Sequence, residues 1–175
     1  MPLPIAHGFL GASIIAAIHP QPSKRHFIPL FAGAFLANCA DADFLLVWLS
    51  HAKSWHRAFT HSLAFALMLC LLPIIVFGLS RLRESLAYGT AFASHGVLDY
   101  VTTKVGGGVE LLWPFTQGRA GLGLLGLSEL PSRMTGVEIV KALVIELMIF
   151  GPMLALVLLI RYVVVRRQYS AHGAI

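Results

Sequence analysis

The chain has 175 residues, of which 57% are hydrophobic and 12% charged, with a mean hydropathy of +0.78. Soluble globular domains carry about a quarter charged residues, so that class is excluded, and the length holds one integral-membrane domain, residues 1–175, with no second. The formal charge of +5 comes from scattered Lys and Arg. There is no basic stripe interleaved with aromatics, which argues against nucleic acid as a partner.

The N-terminus, Met-Pro-Leu-Pro-Ile-Ala-His-Gly, has no positive stretch ahead of its apolar run. It is expected to be a retained first membrane segment, about Ile5 to Ile18, not a cleaved signal. A second segment covers about Ile28 to Leu49, interrupted by Asn38-Cys-Ala-Asp41-Ala-Asp43. A third runs from about Ser62 to Leu79, with a kink expected at Pro73. A fourth spans about Leu86 to Thr103, and a fifth, about Val137 to Val165, contains Glu146. Residues 104–136 form a glycine-rich connection (Gly106, Gly107, Gly108, Gly118, Gly121, Gly123, Gly126) long enough to be functional, and residues 166–175 form a tail. Helices near the ~20 residues needed to cross hydrocarbon make this an all-α, polytopic membrane bundle of four to five transmembrane helices, with the lipid bilayer as its partner. Cys39 and Cys70 lie in apolar runs without ligand spacing and are expected to be packing residues.

Charge placement gives an orientation. Lys24 and Arg25, Arg81 and Arg83, and Arg161, Arg166 and Arg167 fall on one side if all five segments cross, and the positive-inside rule makes that side cytoplasmic. The other side receives Lys53, Arg57, Lys104, Arg119 and Arg133. The outer leaflet then holds His7, Asp41, Asp43, His56, His61, His95 and Asp99 together, which favours a single site. His19, His26 and His172 fall on the cytoplasmic side or in the tail and are expected to be solvated. His51 shares the outer side but has no partner pattern.

Ionisable groups at membrane depth are costly and mark function. His95 and Asp99 are four apart, on one face of a helix and one turn from each other. Imidazole and carboxylate are the ligands of zinc, manganese and iron sites. His56 and His61 are five apart and diverge on a continuous helix. A helix starting near Thr60 or His61, capped by Thr60, lets His56 arrive from the preceding loop. Asp41 and Asp43 point to opposite faces of a regular helix, so both reach one site only where the helix breaks, as membrane helices do beside cavities. The expected ligand set is therefore His7, Asp41, His56, His61, His95 and Asp99. Asp43 is expected as a general base, and Arg57 as an anchor for a substrate anion.

Other chemistries fit less well. Ser62 and Ser94 flank His61 and His95, but no GxSxG nucleophile elbow is present. Gly106–Gly108 lacks the Lys-Ser/Thr of a phosphate loop. Glu146 is a deep carboxylate that could support a metal ligand, pack between helices or handle protons. A transporter or metal-binding protein using the same His/Asp set is the main alternative, although no inverted repeat is evident.

The residues His7, Asp41-Ala-Asp43, His56-Arg-Ala-Phe-Thr-His61-Ser62, Ser94-His95-Gly-Val-Leu-Asp99 and Trp113-Pro114 carry a resemblance. Over about residues 5–115 the chain resembles the YbcI/YdjM-type family of membrane-bound metal-dependent hydrolases. That family usually has Pro before its first Asp, where this chain has Ala40. The order of ligands is also similar to zinc-dependent phospholipase C and P1-type nucleases, which implies phosphoester hydrolysis. The resemblance implies a bacterial inner-membrane hydrolase holding a divalent metal, zinc first and manganese next. The orientation above puts the site near the outer leaflet, where a lipid or headgroup-level phosphoester is the expected substrate.

Overall fold

Backbone groups in hydrocarbon need partners within their own segment, and the apolar runs accordingly fold as helices. A computed structural model describes residues 2–20, 27–104, 107–124 and 135–172. Lys24, Arg25, His26, Gly106, Gly126 and Arg133 lie outside the described residues. The described part is all-α: α1 Pro4–Ile18, α2 Phe27–Leu36, α3 Phe44–Ser50, α4 Leu63–Phe77, α5 Leu82–Thr102 and α6 Gly136–His172. Short 3-10 turns occupy Cys39–Asp43, Lys53–Trp55, Phe59–His61 and Leu79–Arg81. A bridge between Val109 and Ala120 pins the connection after α5.

By length and apolarity, Gly136–Gln168 of α6 alone is clearly long enough to cross a membrane. Two bent pairs, α2 with Cys39–Ser50 (45°) and Lys53–His61 with α4 (50°), raise the number to three at most. The expectation of four to five spans also counted α1 and α5. With 15 residues, α1 extends only ~22 Å at 1.5 Å per residue, short of a hydrocarbon core about 30 Å thick. Helix α5 has 21 residues but carries Arg83, Glu84, His95 and Asp99. It can be polar because protein surrounds it: α1, α2 and α4 all pack on it, and Ser85, Ser94, His95, Asp99 and Thr102 are buried there. Helix α6 instead shows Val140, Ile145, Leu156 and Leu159 on its exterior, as a lipid-facing helix should.

Small residues set the close contacts. A side chain on Gly11 would put its Cβ 2.4 Å from the Gly33 carbonyl oxygen, so α1 and α2 cross backbone to backbone, the geometry that small residues permit in membranes. Gly96 matters more for the site. A Cβ there would fall 2.0 Å from the carbonyl oxygen of His61. Glycine at position 96 therefore lets the turn bearing His61 lie against the helix bearing His95 and Asp99.

The N-terminus of α1 is buried, and its first N–H groups have no partner inside the helix. Pro4 at the first turn removes one donor. Glu146, fully buried on α6, accepts two others, from Leu3 N (2.5 Å) and Ala6 N (3.1 Å). Glu146 is thus an acceptor that a distant helix supplies to α1. It fixes the start of the helix three residues before His7.

Two outcomes follow from these contacts. Gly96→Ala should lower the thermal midpoint in detergent by an overpacking cost of about 1–3 kcal/mol, whereas Gly136→Ala, with open space around it, should leave it unchanged. Glu146→Leu strands two buried donors at about 1–3 kcal/mol each, so it should destabilise far more than Glu146→Gln, which keeps an acceptor. Equal midpoints for the two Glu146 variants would contradict the capping role.

Candidate metal centre

The cluster begins at the break in the second apolar run. In a continuous helix the Ala37 carbonyl would accept from the N–H of Asp41. Here Asp41 N bonds instead to the Asn38 carbonyl at 3.3 Å, in a 3-10 turn. The freed Ala37 carbonyl accepts from His95 Nδ1 at 2.6 Å. A proton on Nδ1 leaves Nε2 of His95 as the lone-pair nitrogen, the state of a metal-ligating imidazole. Ala40, in place of the proline usual in the resembling family, has not prevented the break.

The same turn separates the two carboxylates. Asp41 is directed at the histidines, with Oδ1 3.5 Å from His61 Nε2 and 3.4 Å from His95 Nε2. Asp43 is almost completely buried and gathers the next loop. One oxygen accepts from Arg57 N (2.8 Å) and Thr60 Oγ1 (3.1 Å), while the other meets His56 Nδ1 at 3.0 Å. Its Oδ2 is also 3.4 Å from His61 Nδ1. Both oxygens of Asp43, the residue expected as a general base, are thus engaged in holding the 56–61 loop.

His56 arrives from the loop, as its spacing to His61 requires, but α4 starts later than expected. Ser62 is the N-cap, its hydroxyl accepting from Phe65 N at 3.1 Å. Thr60, expected as the cap, spends its hydroxyl on Asp43 instead. Arg57 takes a left-handed backbone (φ 60°), held by Asp43 on its N–H and by Glu110 N on its carbonyl (3.0 Å). Its Nε lies 3.7 Å from Asp99 Oδ2. Buried at 8% exposure, Arg57 is not a snorkelling surface arginine.

His7 and His95 stack with ring centroids 3.8 Å apart. Asp99 reaches His7 Nε2 at 3.6 Å through one oxygen, and His61 Nε2 at 3.8 Å and His95 Nε2 at 3.9 Å through the other. The result is a knot of three imidazoles and two carboxylates drawn from α1, the Cys39–Asp43 turn, the Phe59–His61 turn and α5. Nε2 of His7, His61 and His95, Oδ1 of Asp41, both oxygens of Asp99 and Nε of Arg57 are buried without a hydrogen-bond partner among the described residues. Buried polar groups are nearly always satisfied, and a cluster of exceptions calls for a partner such as water, an ion or a ligand. Donor atoms bound to one tetrahedral ion at 2.0–2.1 Å stand about 3.3 Å from each other, close to the separations seen here. Two triads, His7–His95–Asp99 and Asp41–His61–His95, could each hold an ion, as could Asp41–Asp43–His56 at the margin. The all-nitrogen-and-oxygen donor set fits zinc or manganese.

Seven of the expected residues therefore come together with Arg57, and His56 and Asp41 form the partly open edge of the cluster. The serine alternative does not assemble: Ser62 and Ser94 hydroxyls donate to the Phe59 and Ala91 carbonyls, each at 2.7 Å. Trp113 lies against Phe59, 5.8 Å between ring centroids, beside an apolar groove on the outer face of α4. His51 is exposed at the end of α3. Sequence reasoning missed Ala37, whose role is a backbone carbonyl and leaves no side-chain signal. It also missed Gly96, whose position next to His95 was the available clue.

No solved structure matches the chain. The chain is similar to inner membrane protein YbcI of Escherichia coli (strain K12), with 40% identity over 97 residues. That match takes in 51% of this chain and 56% of the relative, so the chain spans little more than half the length of the relative it matches. Residues 1–172 match the family described as YdjM inner membrane protein. The chain belongs to the YdjM family of inner membrane proteins.

Proposed function

We propose that this protein is a metal-dependent hydrolase of the inner membrane that cleaves a phosphoester of a lipid or another headgroup-level substrate. The observation that carries the reading is the convergence of unpaired, buried Nε2 and carboxylate atoms from four separate elements. Hydrogen-bonded helix packing needs pairs, whereas five residues that converge with inward atoms lacking a hydrogen bond among the described residues favour a shared cation. His7, Asp41, His61, His95 and Asp99 would hold it, zinc first and manganese next. A bound divalent ion supplies Lewis acidity toward a phosphoryl oxygen and brings the pKa of water toward neutrality.

The remaining groups have separable tasks. His56, expected as a ligand, takes in this proposal the general-base role expected of Asp43: its Nδ1 rests on Asp43, which leaves Nε2 at the open edge to take the proton of an attacking water. It then returns that proton to the leaving oxygen as the P–O ester bond breaks. In this reading Asp43 is a positioning residue: it orients His56 directly and His61 from behind. The guanidinium of Arg57 pairs with the charge of the phosphoryl group. Access supports hydrolysis over transport. The side chains of Asp41 and His56 are 19% and 21% exposed, while His7, His61, His95 and Asp99 are at 0%, an arrangement with one mouth. We place this mouth toward the outer leaflet of a single membrane domain, because the arginine-rich ends of α5 and α6 lie at the other end of the bundle.

Purified full-length protein should retain a divalent metal, and His61→Ala, His95→Ala and Asp99→Ala should each lose it, read by elemental analysis. Asp43→Asn should keep the metal with affinity weakened about 10–100-fold, the usual cost of losing a supporting carboxylate. Hydrolysis of phosphate diesters and lipid phosphoesters should fall by about 10²–10⁴ in His56→Gln, with metal content unchanged. Wild-type protein that binds no metal even after reloading would overturn the reading.

A further inference from the structure

The end of the bundle opposite the His/Asp cluster contains a second, chemically different cavity. From His7 to His19 along α1 is about 18 Å at 1.5 Å per residue, and the cavity opens around His19. About 440 Å³ in volume, it is bounded by the C-terminal end of α1, by Arg83 at the start of α5 and by α6 from Val157 to Gln168. Two guanidinium groups, Arg83 and Arg161, line it together with His19, and no Asp or Glu among the described residues does.

The two arginines are bound differently. Arg161 donates to the carbonyls of Ile15, Ala16, His19 (3.0 Å) and Pro20 (3.4 Å), closing the end of α1 where helix carbonyls lack partners. Carbonyls orient a guanidinium without cancelling its charge. Arg83 has no carboxylate partner among the described residues, although its neighbour Arg81 pairs with Glu84 at 2.8 Å. Two like charges facing one cavity, one fixed and one free, form an anion site, and the guanidinium fork matches phosphate oxygens.

Much of the remaining lining is aliphatic. Val157, Ile160 and Val164 belong to α6, the membrane-length helix, and Ile160 and Val164 are exposed on it. A free phosphate would use only the charged end of this cavity, whereas a lipid would place its phosphate on the arginines and its chains along α6. Basic pockets between helices on the cytoplasmic side are suited to anionic headgroups. We propose that this cavity binds the phosphate headgroup of an anionic phospholipid of the inner leaflet, independently of the hydrolase site.

The test uses the full chain in detergent, with lipid retention read by native mass spectrometry and thermal unfolding followed alongside. Phosphatidylglycerol or cardiolipin should bind and raise the midpoint, whereas phosphatidylcholine and inorganic phosphate should do neither. Arg83→Gln, which breaks no contact seen here, should weaken retention about tenfold or more through loss of a charged phosphate contact. Arg166→Gln, outside the cavity, should retain the lipid as wild type does, and metal content should stay unchanged in both. Retention in Arg83→Gln equal to wild type, equal stabilisation by phosphatidylcholine, or binding of inorganic phosphate as tight as that of the lipid would each overturn the proposal. If Arg83→Gln lowers the midpoint without lipid, Arg83→Lys decides: it keeps the charge but loses the fork and should show intermediate retention.

Discussion

A carboxylate with no exposed surface, ringed by imidazoles that offer it no hydrogen bond, is the constraint on which the rest of the structure depends. Asp99 is completely buried, and a buried ionised group is costly unless it is paired or coordinates a metal. Its neighbours do not relieve it by direct bonds: the nearest imidazole nitrogens stand 3.6–3.9 Å away. The elements around it are arranged to hold that spacing. Glu146 starts α1 so that His7 arrives, the break after Leu36 frees a carbonyl to orient His95, and Gly96 admits His61. Asp43 then ties down the loop between α3 and α4.

This constraint also explains why α5 is the least apolar helix of the bundle. It is enclosed by α1, α2 and α4 and therefore contacts protein more than lipid, so it can carry the groups that the other helices surround. The lipid-facing work falls to α6 and to the bent pairs. The two ends of the bundle differ accordingly: one gathers imidazoles with carboxylates, and the other opens a cavity lined by arginines.

Much of the site was legible in sequence because its geometry is local. The i, i+4 spacing of His95 and Asp99, the polar interruption at Asn38–Asp43 and the incompatible spacing of His56 and His61 each demanded the backbone that is present. What sequence could not convey depends on tertiary contact. Hydropathy measures how apolar a segment is, not whether lipid or protein surrounds it, so α5 read as a span like the others. Thr60 and Ser62 are both good caps, and only the position of Asp43 decides which hydroxyl is free to cap. Glu146 is 140 residues from Ala6, and no local pattern links a carboxylate in α6 to the first turn of α1.

The central claim is that these imidazoles and carboxylates share a cation. X-ray absorption at the metal edge of the purified protein tests it most directly. The account predicts a first shell of nitrogen and oxygen only, near 2.0–2.1 Å for zinc, with the outer-shell scattering of at least two imidazoles. A sulfur shell at about 2.3 Å, pointing to Cys39 or Cys70, or a metal without imidazole scattering, would contradict it.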